Sequence, residues 1–325
     1  MNTAESNAPA GLMKALRAHA RGGAEQLVYE DAPAPKAPSG SEVCVRVNAA
    51  AITFDELTWD ETWEANGVDR TPIIPSHEFS GVVEAVGPAV EGITVGDEVF
   101  GLVPFNRDGA AAEYVLVPSA SLALKPAGVS DVVAAAAVLP ALTAMEALEE
   151  ALGLTSGQRL LVRGGTGAVA SFLTQFAHRM GLSVTVTVRS SASVEHAKRL
   201  GADEVLVADE PAEIAAGSFD ASIDAVGAGT PDWLYRAVRP GGRVITLQEA
   251  PDADLAQKYG VDANFFLVEA RTDALNRLGA ELAAGDLEVA VAQVYPLAEG
   301  RAAYGSRGQT KNSGKTVLDV ATRES

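Results

Sequence analysis

The chain has a single cysteine, Cys44, in 325 residues. No intrachain disulfide can staple it, and thiol chemistry sets no limit on its compartment. Basic side chains are also scarce: 25 Lys and Arg stand against 43 Asp and Glu, a net charge of −18. That balance argues against a nucleic-acid backbone or an anionic membrane as partner, and leaves room only for a local basic pocket around one phosphate. Residues 1–11 have neither a basic start nor an apolar stretch, so they read as a flexible tail rather than a secretory signal. The longest apolar run, Val132 to Ala144, contains a proline and is too short to cross a bilayer, so it reads as the start of a buried helix. Repeats and low-complexity blocks are lacking. What remains is a globular, cytoplasmic chain, 47% hydrophobic and 21% charged, long enough for two domains.

From Met13 to about Pro126 the pattern is rich in strands and turns. Val43 to Ala51 and Ser80 to Val86 alternate like strands, and glycine and proline punctuate the rest. After Ser130 the character changes. An alanine-rich helical stretch, Val132 to Leu152, leads into a strand at Arg159 to Val162, a helix from Gly167 to Met180 and a strand at Leu182 to Val188. A helix at Ser193 to Leu200 follows, then strands at Glu204 to Ala208, Ala221 to Ala225, Arg243 to Leu247 and Phe265 to Val268. Strands alternating with helices at this spacing predict a parallel sheet covered on both faces. Beyond Arg271 come a helix, Asp273 to Ala284, and strands at Val289 to Tyr295 and Lys315 to Val320. The expected class is α/β: a Rossmann, doubly wound parallel sheet over 131–271, inserted in a β-rich domain made from 12–130 and 272–325.

The first strand of the insert runs into Gly164-Gly165-Thr166-Gly167-Ala168-Val169. Glycines between a strand and a helix allow a tight turn and close approach of a pyrophosphate, which the helix N-terminus then faces with its N–H groups. The second strand ends at Arg189-Ser190-Ser191, where NAD-specific sites carry an acid for the ribose 2′-hydroxyl. A guanidinium and two hydroxyls suit a 2′-phosphate, so NADPH is the expected cofactor.

The glycine loop, His77-Glu78-Phe79-Ser80-Gly81, Gly96-Asp97-Glu98-Val99-Phe100, Leu139-Pro140-Ala141-Leu142-Thr143-Ala144, Pro240-Gly241-Gly242-Arg243 and Ser313-Gly314-Lys315 together resemble the medium-chain dehydrogenases/reductases. They resemble in particular the zinc-independent, quinone oxidoreductase-like branch. The resemblance implies a GroES-like substrate domain around the Rossmann domain, an active site in the cleft between them, and hydride transfer to a quinone or α,β-unsaturated carbonyl. It implies a homodimer joined through the sheet edge near Asp262 to Val268. It also brings Thr143, Ala225, Val226, Gly227, Leu247, Gln248, Phe265, Phe266, Leu267 and Lys315 to the cofactor.

The zinc members of that family carry a cysteine where this chain has Thr53. His77 survives without soft partners, so no metal is expected and His77 reads as a hydrogen-bonded structural residue. The tyrosine that some relatives carry near Thr58 is missing. By family position Thr53, Asp55 and Thr58 are the catalytic candidates. Asp55 would donate a proton only if burial kept it neutral, and bound water is the other donor. Trp59 and Trp63 offer an aromatic wall for a flat, electron-poor acceptor, or else ordinary packing. The acidic run Asp55 to Glu64 reads equally as a solvated lid. Two other readings stay open: an enoyl or cyclising reductase of specialised metabolism, and a non-catalytic NADPH-binding protein on the same fold.

Overall fold

The structure is a computed structural model that describes residues 9, 11–207, 214–309 and 313–322. The chain divides into two compact units, Met1–Leu139 with Glu269–Ser325, and Pro140–Val268. Most of the expected tail (1–8 and 10) and Ala208, the expected end of one strand, lie outside the described residues.

In the first unit, Glu42–Ala51 reads E-V-C-V-R-V-N-A-A-A and buries Val43, Val45 and Val47 in the core. Cys44 is buried too, and desolvation pushes its thiol up to about 12. The strand pairs antiparallel with Glu78–Val86 and with Tyr114–Pro118. Its sheet runs in the order Val291–Pro296, Lys315–Asp319, Glu42–Ala51, Glu78–Val86, Glu98–Leu102, Leu122–Leu124, so segments far apart in sequence lie side by side. A two-stranded ribbon, Leu12–Ala18 with Leu27–Pro33, contributes Leu16 and Leu27 to the same core.

The helix Asp131–Glu146 continues as a π-helical turn, Ala147–Leu152. The whole 22-residue stretch is apolar and long enough to cross a membrane by length and composition, but its most apolar window is 78% buried inside the protein. A helix apolar on every side belongs in a core.

The second unit holds a six-stranded, all-parallel sheet in the order Glu204–Val207, Ser183–Val188, Arg159–Arg163, Phe219–Asp224, Val238–Thr246, Asp262–Phe265. Counted along the unit this is 3-2-1-4-5-6, the doubly wound Rossmann order, whose switch point lies between Arg159–Arg163 and Phe219–Asp224. Helix Ala168–Arg179 is buried all round its middle, from Ala170 through Ala177 without a break, as befits a helix packed inside the unit.

Three details differ from the sequence reading. Helices Asp232–Ala237 and Ala253–Tyr259 were not anticipated, since two turns are too short for periodicity to stand out. The fifth strand starts at Val238 rather than Arg243: the Pro240-Gly241-Gly242 segment is an irregularity inside it, with Gly241 at φ +75. The sixth strand pairs over Asp262–Phe265 rather than from Phe265 onward.

Candidate functional site

The glycine loop leaves the C-terminal end of Arg159–Arg163 at the switch point, where doubly wound sheets bind ligands. Gly164 sits at φ +89, and a Cβ there would lie 2.6 Å from Val226 Cγ2. A Cβ on Gly165 would meet Val186 Cβ at 2.5 Å. Both positions therefore accept only glycine. Gly167 is the N-cap of Ala168–Arg179 with no side-chain cap, and the first helical bond runs from Ser171 N to Gly167 O at 2.9 Å. The N–H groups of Ala168, Val169 and Ala170 precede that bond and point out of the helix end. Glycines that let the backbone come close, with uncapped helix donors behind them, fit a dinucleotide pyrophosphate.

Arg163 fixes the other lip of the crevice. Its Nη1 donates to Asp224 Oδ2 at 2.9 Å and to the carbonyls of Gly227 and Gly229 at 3.2 and 3.3 Å. Asp224 is 1% exposed, and its Oδ1 accepts from Val226 N and Gly227 N at 2.9 and 3.3 Å. The turn Asp224-Ala225-Val226-Gly227 is thus pinned to the glycine loop by one buried ion pair. Leu247 N bonds Asp224 O at 3.2 Å and Phe266 N bonds Thr246 O at 3.0 Å, which brings those strand ends to the same edge of the sheet. Gln248 packs on Gly227, and Val226, Phe265 and Leu267 leave apolar surface exposed. Thr143 lies buried on the helix Asp131–Glu146.

At the end of Ser183–Val188, Arg189, Ser190 and Ser191 are all exposed. Arg189 has no hydrogen bond or ion pair among the described residues. Ser190 Oγ accepts from Ala192 N at 3.2 Å and so shapes the turn. A guanidinium on a capped turn, followed by two serine hydroxyls in place of a carboxylate, suits a phosphate monoester.

The first unit holds a cluster of a different kind. Lys315, 7% exposed, places Nζ 2.6 Å from Glu78 Oε2 and 2.9 Å from Thr53 Oγ1. Thr53 Oγ1 in turn donates to the same Glu78 oxygen at 3.0 Å. Glu56 is fully buried: its Oε2 accepts from Ser76 N at 3.0 Å, and its Oε1 accepts from the Tyr304 hydroxyl. Tyr304 also lies 3.0 Å from Ser76 Oγ. Burial raises the Glu56 carboxyl to about 7, with the tyrosine bond and the Lys315 charge opposing. Burial likewise drives the Tyr304 hydroxyl well above its ordinary value, helped by the Glu56 charge. His77, 3% exposed, is pushed down to about 3 by desolvation and then by the charge of Arg70.

Several expectations need correction here. Asp55 is only part-buried, its side chain 31% accessible, and it forms a two-point ion pair with Arg307. Thr58 is exposed and its hydroxyl is spent on Asp55 O at 2.7 Å. Trp63 is 1% exposed and its indole N–H donates to Leu57 O at 2.8 Å, so it packs the core rather than facing an acceptor. Trp59 is half-buried against Phe105, ring centres 5.4 Å apart. Among the described residues neither ring nitrogen of His77 has a hydrogen-bond partner, against the bonded role expected of it, and Nε2 lies 3.8 Å from Glu56 Oε2. The acidic run is no solvated lid throughout: Glu56, Thr62 and Trp63 are buried, and Arg21 holds Asp60 and Glu64. Sequence reasoning missed Tyr304, and it quoted Glu78 only within the His77-Glu78 motif and Glu56 only within the acidic run, without their shared burial.

Residues 39–127 match the family described as "Alcohol dehydrogenase GroES-like domain", and residues 200–318 match "Zinc-binding dehydrogenase". The 2-methylene-furan-3-one reductase of Solanum lycopersicum is 38% identical over 187 residues, 55% of this chain but only 47% of that enzyme's length. The quinone oxidoreductase of Pseudomonas aeruginosa is 28% identical over 94% of this chain and 99% of its own. A mycobacterial protein solved in complex with NADPH superimposes with a TM-score of 0.81 at 27% identity, covering 95% of this chain and all of that one.

The second family description implies a metal, and the side chains present do not suit one. A catalytic zinc needs three protein ligands. Among the described residues no three His, Cys, Asp or Glu side chains group to hold an ion, and the Lys315 ammonium already occupies Thr53. The two domain matches, the full-length relatives and the shared fold establish that the chain belongs to the medium-chain dehydrogenase/reductase superfamily of oxidoreductases.

Proposed function

We propose that the chain is an NADPH-dependent reductase that delivers hydride to an α,β-unsaturated carbonyl or quinone without zinc. The observation that carries the reading is the glycine loop at the switch point, followed on the next strand by an unpaired Arg189. The printed names of the tomato and Pseudomonas relatives, a reductase of an unsaturated ketone and a quinone oxidoreductase, give the acceptor class its support.

In this reading Gly164, Gly165, Thr166, Gly167, Ala168 and Val169 hold the pyrophosphate with backbone donors. Arg189, Ser190 and Ser191 take the 2′-phosphate. Ala225, Val226, Gly227, Leu247, Gln248, Phe265, Phe266, Leu267 and Thr143 hold and shield the nicotinamide end. The bound cofactor supplies the hydride. The protein's share is to fix the acceptor, exclude water and stabilise charge. A second copy of the chain is proposed to pair along the edge strand Asp262–Phe265, next to the exposed Phe265 and Leu267.

Turnover tests the proposal. NADPH oxidation is followed with an α,β-unsaturated ketone and with a quinone, before and after exhaustive chelation. The expected result is turnover of at least one acceptor, undiminished by the chelator. No turnover of either, or turnover lost on chelation, overturns it.

A further inference from the structure

We propose, on the cofactor reading above, that Arg163 is a positioning residue for the dinucleotide. It holds the strained segment Gly227-Ala228-Gly229 in the shape that receives the nucleotide half lying over the strands Phe219–Asp224 and Val238–Thr246. Every group involved belongs to the second unit.

The segment needs outside support to keep its shape. Gly227, Ala228 and Gly229 stand at φ +75, +61 and +87, three successive residues in the left-handed region. L-residues visit that region singly, because the Cβ crowds the following carbonyl oxygen, and Ala228 carries that Cβ. Such backbone persists only where its surroundings over-determine it. Here two side chains do so. Arg163 Nη1 donates to Gly227 O at 3.2 Å and Gly229 O at 3.3 Å, while its pair with Asp224 Oδ2, at 2.9 Å, fixes the guanidinium itself. Gly229 N donates to Glu249 Oε1 at 2.6 Å, which ties the segment to the next loop along the sheet. The clamp thus joins three neighbouring strand ends: Arg163 closes Arg159–Arg163, Asp224 closes Phe219–Asp224, and Glu249 follows Val238–Thr246.

Its place in the sheet gives the clamp a consequence. A doubly wound sheet is built from two mononucleotide-binding halves that meet at the switch point, with the pyrophosphate between them. The half on the side of Ser183–Val188 ends in Arg189 and takes the 2′-phosphorylated adenosine. The other nucleoside then lies on the side of Phe219–Asp224, where the clamped segment stands. The segment also borders its neighbours tightly: a Cβ on Gly164 would come within 2.6 Å of Val226 Cγ2, and one on Gly227 within 2.7 Å of Gln248 Cβ. A wall ordered before the ligand arrives has no ordering cost left at binding. Arg163 therefore raises affinity for this half through the segment it holds, and the adenosine half, across the switch point, gains nothing from it.

Two variants test the clamp from its two sides. Arg163→Lys keeps a cation for the buried Asp224 but loses the planar fork and its reach. Glu249→Ala frees the segment from the other loop and leaves the Arg163–Asp224 pair intact. For each, thermal melting is recorded, with binding of NADPH and of adenosine 2′,5′-bisphosphate, the adenosine half alone. Hydrogen exchange over residues 224–230 is followed in the nucleotide-free protein. For Arg163→Lys the expected result is a Kd for NADPH raised about tenfold and a Kd for the bisphosphate within about twofold of wild type. Exchange over 224–230 should be faster by about tenfold, with the helix Ala168–Arg179 unchanged. Glu249→Ala should move the same readouts in the same direction, by about threefold. An equal loss of both ligands overturns the proposal, since a general loosening of the unit acts on the two alike. Unchanged exchange over 224–230 in Arg163→Lys also overturns it. If Arg163→Lys does not fold, Glu249→Ala decides by the same criteria. A wild-type protein that binds neither ligand sinks the cofactor reading, and this proposal with it. Binding of both by wild type, with NADPH affinity unchanged in the variants, sinks this proposal alone.

Discussion

The two units build their chemistry from different materials. In the second unit the glycine loop works through backbone: Gly164 and Gly165 are required by a φ of +89 and by Val226 and Val186, and the donors are helix N–H groups. In the first unit Thr53, Glu56, Ser76, Glu78, Tyr304 and Lys315 meet as side chains drawn from positions up to 262 apart. A backbone site is local and tolerates most side-chain changes outside its glycines. A side-chain cluster is charge-coupled, and one change is felt by every member.

That contrast is sharpest where the second unit departs from it, at the Arg163–Asp224 ion pair. Arg163→Met leaves Asp224, 1% exposed, with two backbone donors but no cation. The expected loss is about 3–5 kcal/mol in urea unfolding, and a loss near zero would show that the backbone donors suffice alone. Next in size is Glu56→Gln. Burial keeps the Glu56 proton up to about 7 in the folded chain, against 4.5 for the free side chain. Its contribution is therefore full below about 4.5 and is lost as pH rises through 7. His77, lowered from 6.5 to about 3, works in the opposite sense, full above 6.5 and lost as pH falls towards 3. The wild-type curve mixes the two, whereas the difference between Glu56→Gln and wild type isolates the glutamate. That difference should grow in the variant's favour between pH 4.5 and pH 7, by on the order of 3 kcal/mol; a flat difference would break the account of the cluster.

Gly164→Ala adds a Cβ 2.6 Å from Val226 Cγ2 at a left-handed φ. It should cost about 1–3 kcal/mol of stability and weaken NADPH binding in a titration; unaltered binding would mean the loop does not approach the pyrophosphate. The smallest effect belongs to Asp55→Asn. The Asp55–Arg307 pair is partly exposed, with side chains 31% and 60% accessible. Its loss should cost under about 1 kcal/mol by thermal melting, and a larger cost would move Asp55 into the coupled cluster.

The same contrast explains what the sequence disclosed. The parallel sheet of the second unit and its glycine loop were legible because alternating strands and helices, and a short glycine run between the first of each, are local patterns. The buried cluster was not, since nothing near Glu56 announces that Tyr304 will donate to it. Thr53 and Lys315 were both named, yet their partnership runs through Glu78, which lies ahead of the strand that alternation marks at Ser80 to Val86. The sequence leaves Trp63 open between pocket wall and packing because an indole is as apt for a core as for a pocket, and its partner, the Leu57 carbonyl, is a backbone group. The unanticipated helices Asp232–Ala237 and Ala253–Tyr259 were too short to carry a periodic signal.

The central claim, a backbone-built site for NADPH closed by Arg189, is tested most directly by fluorescence titration of NADPH and NADH into the wild-type protein and Arg189→Ala. The account predicts tighter binding of NADPH than of NADH, with that preference lost in the variant while NADH binding is kept. Equal affinity for the two nucleotides in the wild type, or no binding of either, would contradict it.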